Sequence, residues 1–385
     1  MVTERYIPIW GGAENQLRQL IPHLVLKGCE IEIVTRRWYK EMPQEDTVDN
    51  VRVHRIGWPG TGLLSTVLFI LSLANYLLFK CKDIQIFHSH GALKMGALCT
   101  IAAKAVGKKN IAKIASAGRI PDLVQTFTGR VISDIFKSSD TIICMTQEIE
   151  NELMAISCQK EKIVCIRNAV DCHRFKTADD FSRVQFFKKH QINEDGLVVV
   201  FSSRLVFGKG LDVVLAAWPS VSKKNPQAYL LIVGSGKDQP DSIEKEMRAK
   251  VVQECLENII FFGETNQPEK LLGIADIFVF PSRKEGFPNA LMEALAAGLP
   301  SVCSQIGGVL PLVEDGKTGI LFESENAGQL AEKLDMLLRD KELRTRLGAN
   351  ARSAMAENYS FEKTSDEYCQ LYEKFISENE TGNEQ

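Results

Sequence analysis

The chain lacks a Cys-x-x-Cys pair, and its ten cysteines are scattered along 385 residues with no histidine cluster beside them. This spacing argues against a metal centre and against a disulfide framework, so a reducing cytosol fits best. The first residues, Met1-Val-Thr-Glu-Arg-Tyr, contain no apolar targeting core, and we therefore expect a cytoplasmic protein rather than a secreted one. Neither charge dominates, because 46 Lys and Arg face 49 Asp and Glu. We expect no nucleic-acid partner.

What is present suits two domains, because 385 residues exceed one ordinary core. The charge is unevenly distributed. Residues 1–170 carry 21 Lys and Arg against 16 Asp and Glu, whereas the remainder carries 25 against 33. A basic first half fits an anionic acceptor, a phospholipid surface or a lipid-linked phosphate. Chance variation of the surface explains a difference of this size equally well.

Only one long apolar run occurs, from Leu63 to Phe79, and its 17 residues contain no charge. Three interpretations stay open. The favoured one is a buried helix that packs on a sheet, the second is a helix at a membrane interface, and the third is a true span at the lower limit of length. Lys80 and Lys82 would suit the second interpretation, because they follow the run and attract anionic lipid. Such a protein would lie peripherally on the inner face of the plasma membrane.

Short apolar segments alternate with amphipathic ones along the whole chain, which predicts an α/β fold with parallel sheets and helices on both faces. The predicted strands are 2–6, 31–35, 84–88, 111–115, 141–145, 163–166, 197–202, 229–233, 259–262, 276–280, 300–303 and 319–322. Polar residues 176–195 are typical of an inter-domain passage. Apolar residues recur at helical spacing from Phe361 to Phe375, which predicts a last helix.

The most informative segment runs from Glu285 to Glu293, two carboxylates eight residues apart around a predicted helix start. Pro288 suits a first helical turn, and Asn289 is a candidate cap. A glycine loop that leads from a strand into a helix attracts anions, above all phosphate. Glu285 is placed to reach a polyol and Glu293 a second pair of hydroxyls. A phosphate held between two carboxylates that bind sugar hydroxyls is the arrangement expected of a nucleotide-sugar site.

Two cations follow the strand at 197–202, and both suit a diphosphate. Arg204 comes directly after the strand end, and Lys209 lies between Gly208 and Gly210, which let the backbone approach a ligand. Fixed cations aimed at a departing diphosphate stabilise the transition state more than the ground state. A surface loop with two solvated cations is the alternative for this pattern.

Five segments in order resemble the elements of retaining glycosyltransferases with the GT-B fold, family 4 in particular, and the resemblance covers nearly the whole chain. The segments are Gly11-Gly12-Ala13-Glu14, Asn168-Ala-Val-Asp171 with Arg174-Phe175, Arg204-Leu205 with Lys209-Gly-Leu-Asp212, Glu285 to Glu293, and Gly307-Gly308 with Glu314, Asp315-Gly316 and Thr318-Gly319. The resemblance implies two Rossmann-like domains facing each other across a cleft. Residues 1–172 would form the acceptor domain, joined by a C-terminal helix at 359–378. Residues 173–358 would bind the donor, and 379–385 would be a disordered tail.

The resemblance also implies roles for particular residues. Catalytic roles fall to Glu285, Arg204 and Lys209. His90 is a further catalytic candidate for a separate reason, since His88-Ser-His-Gly91 ends a predicted strand, where open α/β sheets keep their ligand crevice. Donor binding falls to Gly11, Gly12, Arg204, Lys209, Phe287, Asn289, Ala290 and Glu293. No metal and no cofactor is expected, because the chain has no Asp-x-Asp motif and its cations and helix dipole already serve the diphosphate. A structural histidine and a first-turn acid at Glu14 are the alternatives for the weaker signals.

One position departs from the family pattern, since Ala117 stands where many relatives have a histidine that reaches the reacting sugar. The expected function is metal-independent, same-face transfer of a hexosyl sugar from a nucleotide-diphosphate sugar to a hydroxyl. The expected acceptor is a lipid-linked or other polar glycan precursor of the envelope or of an exopolysaccharide. Two alternatives remain: a nucleotide-sugar 2-epimerase of the same fold, and a pseudo-transferase that binds the nucleotide sugar but turns it over weakly.

Overall fold

The computed structural model describes residues 1–9, 11–91, 93–177 and 180–382, and the chain divides into two compact units. One unit comprises residues 1–169 with 361–385, and the other comprises residues 170–360. Each unit has its own sheet of mainly parallel strands with helices between them. The predicted α/β class is confirmed in both.

The first unit begins with a two-residue strand rather than the predicted strand at 2–6, because a turn follows in which the Thr3 hydroxyl donates to the Arg5 carbonyl. Its elements in chain order are β1 Val2–Thr3, α1 Gly12–Leu26, β2 Glu32–Arg36, β3 Glu45–Val48, β4 Val51–Ile56, α2 Leu63–Phe79, β5 Ile86–Gly91, α3 Leu93–Ala105, β6 Lys109–Ile114, α4 Arg119–Val124, α5 Phe127–Lys137, β7 Thr141–Cys144, α6 Gln147–Ala155 and β8 Ile163–Cys165. The strand order is β3-β4-β2-β1-β5-β6-β7-β8.

The hairpin of β3 and β4 was not predicted, and its β3–β4 pairing is antiparallel whereas the rest of the sheet is parallel. Asp49 and Asn50 form its turn with φ of 50° and 66°, a conformation that these two residue types tolerate better than most. Val51, Val53 and Arg55 of β4 are buried in alternation. The signal was therefore present in the sequence as a period-2 pattern after an Asp-Asn turn, but the charges of β3 concealed it.

The second unit follows the predicted strands closely, because its strands are continuous apolar runs, and all of them except the half-buried edge strand at 259–263 are largely buried. Its elements are α7 Asp180–His190, β9 Leu197–Ser202, α8 Leu211–Lys224, β10 Ala228–Val233, α9 Glu244–Gln253, β11 Ile259–Gly263, α10 Pro268–Ile274, β12 Ile277–Phe280, α11 Asn289–Ala296, β13 Ser301–Ser304, β14 Ile320–Phe322, α12 Ala327–Arg339 and α13 Lys341–Asn358. The strand order is β11-β10-β9-β12-β13-β14, parallel throughout.

The polar stretch 176–195 is not only a passage, since α7 occupies much of it and belongs to the second unit. Arg183 ties this helix to the sheet by donating to Asp276, at 2.8 Å, and to the Gly196 carbonyl, at 3.2 Å. These partly buried contacts explain why a polar segment is ordered, and the sequence-based interpretation of it was wrong to that extent. Residues 178–179 lie outside the described part of the chain.

The last helix, α14 Phe361–Gly382, returns to the first unit and packs against α1. Its buried face carries Phe361, Tyr368, Leu371 and Phe375, which confirms the helical spacing read from the sequence. The helix continues to Gly382, so residues 379–382 of the predicted disordered tail are helical. Residues 383–385 of that tail lie outside the described residues.

Helix α2 packs on the first unit through one narrow face. Ser65, Phe69, Leu73 and Leu77 recur every four residues and are buried. The opposite face exposes six large apolar side chains, which we call the α2 apolar face: Leu63, Leu64, Val67, Ile70, Leu71 and Phe79. The favoured expectation, a buried helix that packs on a sheet, therefore holds for the packed face and is wrong for the α2 apolar face. Across the described residues, the structure contains no helix with the length and apolar character needed to cross a membrane.

Candidate functional site

The order in which strands are added to the sheet of the second unit reverses at β9. This strand lies between β10 on one side and β12 on the other. In parallel α/β sheets, ligands bind beyond the carboxyl ends of the strands at such a switch point. The loop after β9 carries Lys209, and the loop after β12 carries Glu285. The topology therefore joins two motifs that are 76 residues apart in the sequence.

Lys209 and Glu285 form an ion pair in which Nζ lies 2.5 Å from Oε1. Both side chains are largely buried, at 17% and 11% exposure, so solvent screens this pair less than it screens a surface pair. A cation next to a carboxylate at the switch point can serve two groups of one ligand. The ammonium is suited to a phosphate and the carboxylate to hydroxyl groups.

Glycines allow the loops at this edge to pack backbone against backbone. A Cβ on Gly210 would lie 2.1 Å from the Pro281 carbonyl oxygen, and the φ of Gly210 is +74°. A Cβ on Gly308 would lie 2.6 Å from the Glu285 carbonyl oxygen. The glycines of two sequence motifs therefore hold the loops of Lys209 and Glu285 at the same edge, which no side chain would permit.

Arg204 takes a different position from its predicted partner Lys209. Its guanidinium is exposed, and Nη1 donates to Gln239 Oε1 at 3.1 Å. The side chain bonds to a neutral amide rather than to a carboxylate of the protein. This leaves its full positive charge available at the exposed surface of the loop.

Helix α11 begins one residue earlier than a cap at Asn289 would place it. Pro288 is the N-cap and makes no side-chain capping hydrogen bond, and Asn289 is the first helical residue, so the expectation that Asn289 would be the cap was wrong. The Phe287 ring is buried 5.8 Å from the Tyr359 ring, centroid to centroid. Ala290 lies in the first turn, where N–H groups have no partner within the helix. The α11 start therefore presents backbone donors rather than a capping side chain.

Glu293 lies on α11 one turn from its start, and its side chain is largely buried. Burial raises the pKa of this carboxyl to about 7, with Arg174 opposing the shift and Glu269 adding to it. Arg174 itself pairs with Glu269 at 2.9 Å. Among the described residues, no donor forms a hydrogen bond with the Glu293 carboxyl. A buried acceptor without a donor is suited to receive hydroxyl groups from a ligand.

Sequence reasoning missed Arg283, which lies in the same loop as Glu285. Its Nη1 and Nη2 bind both carboxylate oxygens of Asp212 at 3.0 and 2.7 Å, and Nη1 also donates to the Phe207 carbonyl at 2.6 Å. The available signal was Asp212 itself, which belongs to the Lys-Gly-x-Asp motif and needed a cation as its partner. Nothing in the sequence identified Arg283 as that cation.

Gly11 and Gly12 lie in the first unit, at the start of α1. Gly11 is the N-cap with an extended backbone, and as a glycine it offers no capping side chain. The Glu14 carboxylate folds back over the same position, since a Cβ on Gly11 would lie 2.2 Å from Glu14 Oε2. The first-turn acid anticipated from the sequence is therefore present, and it occupies the space above the glycine.

His90 lies on β5 in the first unit, stacked on His88 with ring centroids 4.1 Å apart. Burial lowers the pKa of His90, and His88 and Lys113 lower it further, so the imidazole is neutral at pH 7. Among the described residues, its Nε2 has no hydrogen-bond partner. His88 is structural in part, because its Nδ1 lies 2.7 Å from the hydroxyl of Tyr372 on α14. Of the described His, Cys, Asp and Glu residues, no three lie together as a metal ion would require.

Two family models match the chain in succession. The model described as "Glycosyltransferase Family 4" matches residues 10–174, and the model described as "Glycosyl transferases group 1" matches residues 182–354. Together they cover most of the chain, one in each unit apart from a few residues at the boundary.

Curated relatives align along the whole length. The capsular polysaccharide biosynthesis glycosyltransferase CapM of Staphylococcus aureus is 24% identical over 390 residues, which cover 99% of this chain and 97% of that protein. The N-acetyl-alpha-D-glucosaminyl L-malate synthase of Bacillus anthracis is 22% identical over 385 residues, which cover 97% of each.

Solved structures share the fold at similar coverage. A glycosyltransferase from Rickettsia africae ESF-5 matches with a TM-score of 0.82 at 19% identity, covering 97% of this chain and 98% of that one. Anabaena Alr3699/HepE, solved in complex with UDP and glucose, matches with a TM-score of 0.79 at 17% identity and the same coverage.

Proposed function

Since this chain belongs to the family 4 glycosyltransferases and has the GT-B fold, we propose that it transfers a hexosyl sugar from a nucleoside-diphosphate sugar with retention of anomeric configuration. The observation that carries the proposal is the Lys209–Glu285 ion pair, which lies at the switch point of the second unit. The ammonium binds the diphosphate and the carboxylate binds hydroxyls of the transferred sugar. Arg204 adds a second, exposed cation for the phosphates.

The remaining donor contacts follow from helix α11. Its first turn, with the backbone of Phe287, Asn289 and Ala290, binds a phosphate through N–H groups and the helix dipole. Glu293 accepts hydrogen bonds from the ribose hydroxyls. Gly11 and Gly12, at the start of α1 in the first unit, can contact a ligand with backbone alone. The UDP complexes of Alr3699/HepE support uridine as the base.

The reaction is a same-face displacement. The bond between the anomeric carbon and the diphosphate oxygen breaks, and the acceptor oxygen bonds to the same face of that carbon. The acceptor proton passes to the departing phosphate, so the step requires no protein nucleophile. Glu285 agrees with this, because its carboxylate is engaged by Lys209 rather than free to attack. His90 is neutral, and its Nε2 has no partner among the described residues, so it accepts a hydrogen bond from an acceptor hydroxyl.

The donor proposal is tested by thermal unfolding with UDP-, GDP-, ADP- and dTDP-sugars, each with and without EDTA. We expect one nucleotide class, UDP, to raise the melting temperature, because a ligand of the folded state stabilises it by mass action. The shift should survive EDTA, since Lys209 and the α11 start supply the positive charge. A shift that EDTA abolishes would refute the metal-free site, and no shift with any donor would refute the donor site itself.

The acceptor is proposed to be a lipid-linked or envelope glycan precursor, and the α2 apolar face supports this. Six large apolar side chains lie exposed along one helix that contains no charge. Lys80 and Lys82 follow the helix, and Lys108 joins them by donating to the Lys82 carbonyl at 3.0 Å. An apolar helix face with cations at one end fits the interface of an anionic membrane. Trp58, exposed before the helix, is the residue type that such interfaces favour.

Vesicle binding tests this surface. The variant Leu64→Gln/Leu71→Gln should bind anionic phosphatidylglycerol vesicles about tenfold or more weaker per leucine, because each exposed leucine that enters the interface contributes about 1.5 kcal/mol or more. The matched control is Val184→Gln/Val252→Gln, which changes two exposed apolar residues of the second unit. Equal loss in both variants, or equal binding of wild type to neutral and anionic vesicles, would contradict the proposal. Self-association through α2 would appear as a dimer in size-exclusion chromatography.

A further inference from the structure

We infer that Arg283 is a positioning residue that holds Lys209 at its place beside Glu285. The anchoring of the loop does not depend on the proposed function. Only the consequence of the anchoring, which is diphosphate binding, rests on the proposed function. Arg283 belongs to the loop after β12, two residues before Glu285, whereas Lys209 belongs to the loop after β9. A side chain that bonds across these two loops fixes the distance between the cation and the carboxylate of the site.

Arg283 bonds to both ends of the Lys209 loop. At the near end, its Nη1 donates to the Phe207 carbonyl at 2.6 Å, and its backbone N–H donates to the Gly208 carbonyl at 3.0 Å. At the far end, its two terminal nitrogens bind the two oxygens of Asp212. Lys209 lies between these attachment points, so its backbone is held from both sides.

The geometry of this contact favours arginine. A planar guanidinium binds a carboxylate with two parallel hydrogen bonds, which fixes orientation as well as distance. The guanidinium carbon also lies 3.9 Å from the centroid of the Phe207 ring. Its side chain is 16% exposed, and Asp212 and Glu325 raise the pKa of Arg283. The guanidinium of Arg283 is therefore permanently charged. Its contact with Asp212 depends on the planar, two-pronged shape of the guanidinium, which lysine lacks.

The Lys209 loop has little internal structure to hold it. Residues Phe207–Lys209 form a single 3₁₀ turn, and Gly210 follows in the left-handed region. The turn is closed by the hydrogen bonds from Lys209 N to the Val206 carbonyl, at 3.0 Å, and from Gly210 N to the Phe207 carbonyl, at 3.2 Å. One such turn is marginal by itself, so its position depends on tertiary contacts.

Arg283 is not itself a phosphate ligand in this arrangement. Its Nε donates to Glu325 at 2.8 Å, and both terminal nitrogens are engaged by Asp212 and Phe207. Two carboxylates already compensate its charge. Among the described residues, Lys209 has one carboxylate partner, Glu285. The two cations therefore have different tasks, one structural and one toward the ligand.

The anchoring is tested without any ligand by hydrogen–deuterium exchange. In Arg283→Met, peptides that contain residues 207–210 should exchange about tenfold or more faster, because the local opening free energy of the loop falls. Arg183→Met is the matched control, since Arg183 also binds a carboxylate, two carbonyls and the face of a phenylalanine, but at the opposite edge of the same sheet. Unchanged exchange at 207–210 in Arg283→Met would overturn the inference.

The consequence is tested by nucleotide binding. Arg283→Met should weaken UDP about tenfold, because a charge-assisted contact to the diphosphate is misplaced, and should leave uridine binding unchanged. In a Lys209→Ala background the same substitution should cost almost nothing more, because the two residues act as one unit. Arg283→Lys should rescue UDP binding only in part. Equal loss for UDP and uridine, or additive losses with Lys209→Ala, would show a merely structural role.

Failure of the proposed function gives a different pattern. If wild type binds neither UDP nor another nucleotide, the donor site is refuted, while the exchange experiment still decides whether Arg283 anchors the loop. If wild type binds UDP and Arg283→Met binds it equally well, the donor site stands and the positioning role is refuted.

Discussion

Replacing Glu285 with glutamine lowers the rate of sugar transfer at saturating donor by about 10²-fold or more. The carboxylate has two tasks in the proposed site. It holds the Lys209 ammonium at 2.5 Å. It also accepts hydrogen bonds from hydroxyls of the sugar as the bond to the diphosphate breaks. Glutamine keeps the shape but removes the charge, so Lys209 loses the carboxylate that orients it. Steady-state kinetics with release of the nucleoside diphosphate as the readout measure the effect.

Glu246→Gln is the control for this substitution. Glu246 is exposed on α9 in the same unit, and the same chemical change there should leave the rate within twofold or so, as is usual for surface positions. A Glu285→Gln enzyme that keeps its wild-type turnover would remove Glu285 from the reaction. Wild-type protein that binds the donor but never releases product with any acceptor would instead favour the binding-only alternative that Ala117 raised.

Replacing Glu293 with glutamine makes the protein more stable at pH 8, by an amount on the order of 2 kcal/mol, and changes its stability little near pH 4.5. The pKa of Glu293 is raised from 4.5 to about 7 by burial. Below pH 4.5 the folded and unfolded chains both hold the proton. Between about 4.5 and 7 only the folded chain holds it, so the stability of wild type falls as the pH rises. Glutamine is uncharged at every pH and avoids this loss.

Urea unfolding at pH 5, 6.5 and 8 measures the difference. Glu246→Gln again serves as the control, because Glu246 is exposed and the same chemical change there removes no buried carboxyl. A stability difference that stays constant from pH 5 to pH 8 would show that the effect comes from packing and not from titration of Glu293. Saturating UDP should reverse the preference at pH 8, because the ribose hydroxyls donate to the carboxylate of wild type and stabilise it.

The family and the fold class were predicted from the order of five motifs, and both are confirmed by the two family models and the structural similarities. The strands of the second unit were located to within about a residue because each is an apolar run, a pattern that needs no tertiary information. The roles assigned to Glu285, Lys209, Arg204 and His90 remain predictions that the experiments above test.

The misses have physical causes. The β3–β4 hairpin was hidden because strand β3 is charged and lies at the edge of its sheet, where apolar residues are not required. Helix α7 was read as a passage because its stability comes from Arg183 and the sheet rather than from an apolar stripe. The run from Leu63 to Phe79 was predicted to be buried because a uniformly apolar helix does not indicate which of its faces packs on the protein. Only the tertiary packing shows which face is covered.

By itself, the sequence determined that the chain consists of alternating strands and helices, and which residue types stand after which strand. Hydrophobic periodicity and glycine positions are local properties, and they can be recognised without knowledge of the fold. Only the tertiary structure decided that Lys209 meets Glu285 and that Arg283 holds the loop between them, since both pairings join segments more than 70 residues apart. The parallel order of β9 and β12 brings those loops to one edge. Their side chains meet because the glycines there let the backbones touch.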